Sequence, residues 1–109
     1  MLPTPPNYLF VLTDDGRPVE CADALLWATW MKEHHDQRVL ARHAIRDGEV
    51  STVFLGCNHG FDDGPPILYE TMVFEGGHDG WMDRYYTRKE ALAGHQRILV
   101  LCGDSLPLN

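Results

Sequence analysis

Two short apolar runs, Val50-Ser51-Thr52-Val53-Phe54-Leu55-Gly56 and Ile67-Leu68-Tyr69-Glu70-Thr71-Met72-Val73-Phe74, constrain this chain more than any other feature. Both are rich in β-branched and aromatic residues and short, so they read as strands. The connection between them, Cys57 to Pro66, combines His59, Asp62 and Asp63 with Gly60, Gly64, Pro65 and Pro66. It is long for a hairpin, and long ordered loops disproportionately carry function.

Upstream, Pro3, Pro5 and Pro6 make residues 1–7 an extended leader. Tyr8 to Thr13 reads as a first strand, stopped by the turn residues Asp14-Asp15-Gly16-Arg17-Pro18. Ala22 to about His35 is helical in character: Leu26 and Trp30, and Trp27 and Met31, repeat at i, i+4, with Asp23 or the residues just before it placed to cap the start. Two tryptophans so close on one helix usually anchor it to a sheet. Arg38 to Arg46 alternates and runs into Asp47-Gly48, a strong hairpin signal. A two-residue turn on Asp47-Gly48 sets Ile45 opposite Val50, His43 opposite Thr52, Ala41 opposite Phe54 and Val39 opposite Gly56. His43 is then expected to be a neutral, hydrogen-bonded interior histidine.

Downstream, Leu68, Glu70, Met72 and Phe74 share one strand face, and Ile67, Tyr69, Thr71 and Val73 the other. Both faces are apolar, as expected of a central strand, which makes Glu70 the anomalous residue. A carboxylate in such surroundings must be paired, hydrogen-bonded or protonated. Trp81 to Tyr86 reads as the last strand. Thr87 with Glu90 forms a capping box for a final helix carrying Ala91, Leu92, Ile98, Leu99 and Cys102 on its apolar stripe. Gly103 stops that helix, and residues 104–109 form a tail. His95 lies on the stripe, so it should point into the core, where Glu70, Tyr85 or a backbone group is its expected partner. Glu70, His95 and His43 are thus the members of an expected interior polar network.

The resulting order is β-α-β-β-β-β-α: an α+β fold with an antiparallel meander of four to five strands and two helices on one face. At 109 residues the chain is expected to be one domain. Its apolar runs fall well short of the roughly 20 residues a membrane helix needs. No basic patch followed by an apolar stretch opens the sequence, so no secretory signal is expected. Cys21, Cys57 and Cys102 form no CxxC pair and leave an odd count, which fits a reducing cytoplasm.

The net charge is −7, and it is unevenly distributed. Between Arg46 and Arg84 there is no Lys or Arg, while Asp47, Glu49, Asp62, Asp63, Glu70, Glu75, Asp79 and Asp83 contribute eight carboxylates. Phosphate backbones require a basic footprint, so direct binding to nucleic acid is not expected. A partner with a basic surface suits this charge better. His59, Asp62, Asp63, Glu75, Asp79 and Asp83 are the candidate contact residues. The plainer alternative is that these acids only keep a small protein dissolved.

The residues Ser51 to Gly56, His59, Gly64-Pro65-Pro66, Tyr69 to Phe74, Arg84-Tyr85 and Ala93-Gly94-His95 resemble a group of small uncharacterised phage and prophage proteins. Gly16 to Val19 and Trp27 to Trp30 match more weakly. The chain departs from the group at Cys57 or Asn58, where Asp is common, and at its longer, more charged end. The resemblance implies a phage origin and a bacterial host cytoplasm. It carries over no catalytic residue.

Three functional classes follow. The first is a non-enzymatic accessory or anti-defence factor that inhibits a host protein through an acidic surface. The second is a small metal-dependent enzyme built on His59, Asp62, Asp63 and Glu70, although no nucleophile elbow, P-loop or HExxH motif is present. The third is a nucleotide-type small-ligand binder or an oligomeric structural protein, with Trp27, Trp30, Trp81, Tyr85 and Tyr86 lining a pocket across a homodimer. The first is the expectation, with no cofactor, catalytic residue or metal ligand assigned.

Overall fold

Along the strand Gly48–Phe54, buried Val50, Thr52 and Phe54 alternate with Glu49, Ser51 and Val53, and this period of two organises the sheet. The structure is a computed structural model describing residues 7–60 and 64–102. The expectations for the leader at 1–6, for Asp62 and Asp63, and for Gly103 and the tail lie outside the described residues.

The elements are β1 (Phe10–Leu12), β2 (Pro18–Glu20), α1 (Ala24–Glu33), a 3-10 turn (Asp36–Arg38), β3 (Val39–Ile45), β4 (Gly48–Phe54), β5 (Tyr69–Phe74), β6 (Met82–Tyr85) and α2 (Arg88–Leu101). β3 to β6 form an antiparallel meander in sequence order. The class is α+β, as the strand and helix signals imply. The first strand does not join that sheet. It pairs with β2, which the alternation of so short a segment did not reveal, in a two-stranded sheet of its own. This hairpin docks onto the meander through the Phe10 N–H, which donates to Gly56 O at 2.9 Å.

Asp23 caps α1, its carboxylate accepting from the Leu25 and Leu26 N–H groups. Trp27, Trp30 and Met31 face inward, while Leu26, placed on the apolar stripe from spacing, is exposed. The Trp27 indole donates to Gly56 O at 2.8 Å, and Trp30 meets the Phe54 ring edge-on at 6.1 Å. The two tryptophans therefore tie the helix to the end of β4. Thr87 and Glu90 close the expected capping box on α2. Ala91, Gly94, His95, Ile98 and Leu99 then form the buried stripe that lies across the sheet. Gly94 is required there: a Cβ at this position would run into the Tyr85 ring and hydroxyl.

The β3–β4 register differs from expectation. Ile45 pairs with Gly48, His43 with Val50, and Ala41 with Thr52. The turn thus falls on Arg46-Asp47, and Gly48 is a strand residue. The physical reason is the neighbouring strand. A Cβ on Gly48 would collide with the Phe74 carbonyl, so the glycine permits close approach of backbones rather than a turn conformation. The slip is by two residues, which preserves the faces. A bulge between Val39 and Ala41 sends Leu40 to the helix side, where it packs on the core.

The core consists of two apolar clusters. Phe10, Phe54, Leu68, Tyr69, Tyr85 and Ala91 fill the end nearest the β4–β5 loop, with Leu12, Trp30 and Leu40 packed against them. Val50, Val73, Ile98, Leu99 and Cys102 fill the end nearest the tight turns, with Ile45 and Trp81 alongside. We call these the loop end and the turn end.

Candidate functional site

Thr52 and Thr71 pair across β4 and β5, on the helix-facing side and between the two clusters. Thr is at home in a strand, but its hydroxyl, once buried, needs a partner. The two hydroxyls meet at 2.5 Å, and Thr52 Oγ1 lies 2.7 Å from His95 Nδ1. His95, wholly buried on α2, uses its other nitrogen as well: Nε2 is 2.8 Å from His43 Nδ1 on β3. One continuous polar chain therefore runs His43–His95–Thr52–Thr71 through the middle of the core. Burial holds the His95 imidazole below the usual histidine range, and the adjacent His43 acts in the same direction.

The inward direction of His95 follows from its helical spacing. His43 departs from its expected interior position: its ring joins the chain, but the residue is exposed, because β3 is the edge strand of the meander. Glu70 is not part of the chain. It projects from the face of β5 opposite Tyr69, Thr71 and Val73, so it cannot meet His95. It pairs instead with Arg84 on β6 at 3.0 Å, with its side chain 12% exposed. Its apolar neighbours Leu68, Met72 and Phe74 are what made it read as interior. On the open face, Met72 is only half-buried and Phe74 is exposed.

Two tyrosine hydroxyls, of Tyr69 and Tyr85, are buried with no hydrogen-bond partner among the described residues. Burial raises both phenols above the usual tyrosine range. For Tyr85 the nearby Thr71 hydroxyl works the other way, although the two do not reach hydrogen-bond geometry. Sequence reasoning missed Thr52 and Thr71 as members of the network, because a threonine in a strand carries no signal of what lies opposite it.

The expected acidic surface is divided. In a meander the β4–β5 loop leaves one end of the sheet, and the β3–β4 and β5–β6 turns leave the other. His59 therefore lies roughly 20 Å, about one strand length, from the turn residues. Glu49 is paired with Arg42 at 2.5 Å, and Glu70 with Arg84. Those arginines flank the acidic segment in sequence and fold back onto it. Glu75, Asp79 and Asp83 are exposed at or near the turn end, with Asp47 beside Gly76. Asp79 Oδ1 accepts from the Glu75 N–H at 2.6 Å, which holds the β5–β6 turn in shape.

His59 sits half-buried, its Nε2 3.4 Å from Cys57 Sγ. Burial pushes that thiol up, against the opposing charge of Arg38, so the pair is not arranged as an activated nucleophile. Among the described residues no group of three His, Cys, Asp or Glu side chains is placed to hold a metal ion. The aromatic residues proposed for a shared pocket are separated: Trp27 and Trp30 lie at the loop end, and Trp81 at the turn end.

At the turn end a groove of about 520 Å³ runs between β6 and α2, lined by Trp81, Asp83, Ala93, Ile98, Val100 and Leu101 among others. Val100 is 75% and Leu101 64% exposed. A smaller hollow joins Trp81, Ile98 and Leu101 to His78 on the β5–β6 turn, bringing that acidic turn up to the groove. The C-terminus of α2 adds a negative partial charge here, with no basic residue in its last turn. Opposing charges are Arg97 in the groove wall and Arg46 on the β3–β4 turn. Among the described residues, no helix is long and apolar enough to cross a membrane. Comparison with protein-family models, with curated proteins and with solved structures finds no match.

Proposed function

We propose that this is a non-enzymatic binding protein that docks a basic, partly apolar surface of a protein partner against the turn end. The observation that supports this is the conjunction of exposed Val100 and Leu101 beside an open groove with Asp83 in its wall, and of exposed Asp47, Glu75 and Asp79 on the turns at the same end of the sheet. Apolar contact supplies affinity and the carboxylates supply orientation and encounter rate. Arg46 and Arg97 offset two of the four negative charges, so the pole is moderately rather than intensely acidic. On the resemblance to phage proteins, the partner is a host protein of the bacterial cytoplasm, and the activity is its inhibition.

The test is capture of a partner from host lysate by the full-length protein, followed by titration with the purified partner. Leu101→Glu should weaken binding at least tenfold without unfolding the protein. Affinity should also fall steeply as salt rises through physiological strength, where the screening length is about 8 Å. Binding that ignores both the substitution and the salt would reject the turn end as the contact surface.

A further inference from the structure

A second cavity lies at the loop end, where three segments far apart in sequence meet. The β1–β2 hairpin brings Leu12, Asp14 and Gly16, the C-terminal end of α1 brings Trp30 and His34, and α2 begins there with Arg88. The cavity measures about 290 Å³ and shares no lining residue with the turn-end groove. Sites for drug-sized molecules run from roughly 300 to 1,000 Å³, so this one suits a smaller ligand.

The lining holds one acid and one base that do not meet. Within the hairpin turn, Asp15 is taken up by its neighbours: it pairs with Arg17 at 3.1 Å and accepts from the Thr13 hydroxyl. The Glu90 carboxylate accepts from the Tyr86 and Thr87 N–H groups at 3.2 and 3.0 Å, so it stays with the helix cap. Asp14 and Arg88 face the same cavity, yet among the described residues neither forms an ion pair. The Arg88 guanidinium reaches the hairpin, with Nη1 3.6 Å from where a Cβ on Gly16 would stand. Both charged residues are exposed, so a ligand meets them without any opening of the fold.

The rest of the lining is apolar and firmly held. Trp30 stacks on His34 at 4.7 Å and meets Phe54 edge-on, and Leu12 packs beside it on the loop-end cluster. Trp30 O can only accept, so the His34 Nδ1 that lies 3.0 Å from it carries the hydrogen, and the neutral ring keeps Nε2 as an acceptor.

We propose that this cavity binds a free α-amino acid with an apolar side chain, its carboxylate on Arg88, its ammonium on Asp14 and its side chain on Leu12 and Trp30. A guanidinium takes a carboxylate through two parallel N–H donors, which fixes orientation as well as affinity. An ammonium has three donors, and Asp14, the Gln37 side-chain oxygen and His34 Nε2 are the acceptors in the lining. A simple anion would face Asp14 as a like charge, and a simple amine would face Arg88. Only a molecule carrying both signs close together complements each of them. A wall whose rings are already packed costs little ordering on binding.

Titration of the full-length protein with L-leucine, L-methionine and L-phenylalanine, followed by amide and indole NMR shifts, tests this. Shifts should be confined to the lining, above all Gly16, the Trp30 indole and Arg88. N-acetyl-L-leucine, which lacks the ammonium, and isopentylamine, which lacks the carboxylate, should each bind at least tenfold more weakly than leucine. Arg88→Gln and Asp14→Asn should each weaken leucine binding at least tenfold while leaving the amide spectrum of the sheet unchanged. The proposal is overturned if none of the three amino acids shifts the lining, or if inorganic phosphate or either blocked compound binds as tightly as leucine. It is equally overturned if either substitution leaves the affinity for leucine unchanged.

Discussion

The two ends of the sheet are built from the same strands and the same helix, yet only one is covered. At the loop end, Phe54 and Tyr69 lie beneath Phe10 of the first hairpin and Trp30 of α1, and the apolar surface is closed off. At the turn end, Val50 and Val73 are sealed by Ile98, Leu99 and Cys102 with Ile45 and Trp81 alongside, and the outer residues Val100 and Leu101 face solvent. Between the ends, His95 and the two threonines interrupt the apolar packing. The difference teaches that the first hairpin and α1 cover one end, and that the more open surface lies at the other.

The sharpest way to break this comparison is to empty the loop end. Phe54→Ala should lose about 3–5 kcal/mol in urea unfolding, as large buried aromatics do. Combined with Ile98→Val at the turn end, the losses should add to within about 0.5 kcal/mol. Stronger coupling would mean that the two clusters are one core. Next in size is Gly94→Ala, which forces a methyl into Tyr85 and should cost about 1–3 kcal/mol by overpacking. A cost near zero would show that α2 can lift off β6 freely.

The polar divide gives stability a pH dependence of known sign. His95 has a folded pKa held below its unfolded value of about 6.5, chiefly by burial. The unfolded chain therefore binds more protons just below that value. The His95 contribution is complete above about pH 6.5 and is lost as pH falls towards the folded pKa. His95→Gln should flatten that part of the urea-midpoint profile. A wild-type profile with no decline on acidification would remove the divide as an energetic feature. Smaller still, Glu70→Gln should cost about 0–1 kcal/mol, because its partner Arg84 is about one-third exposed and solvent screens the pair. Last, Val100→Glu should change stability by no more than about 0.5 kcal/mol, as expected of a side chain that packs on little else in the free protein.

Much of the architecture can be read locally. Period-two alternation in Val50–Phe54, the capping box at Thr87 and Glu90, and the helical spacing that turns His95 inward each depend on residues close in sequence. Those signals determine the strands of the meander, the second helix and the α+β class. They do not determine what lies across from a side chain, because pairing distances in space are unrelated to spacing in the chain.

Only the tertiary structure decided that Gly48 yields to the Phe74 carbonyl and that β1 pairs with Pro18–Glu20 apart from the meander. It also decided that Glu70 faces the open side with Arg84, and that Glu49 is taken up by Arg42 while Asp47, Glu75, Asp79 and Asp83 stay exposed near the turns. A strand reverses the chain's direction and alternates its side chains. Neighbours in sequence are thereby sent to opposite ends and faces, and only long-range packing can say which of them meet again.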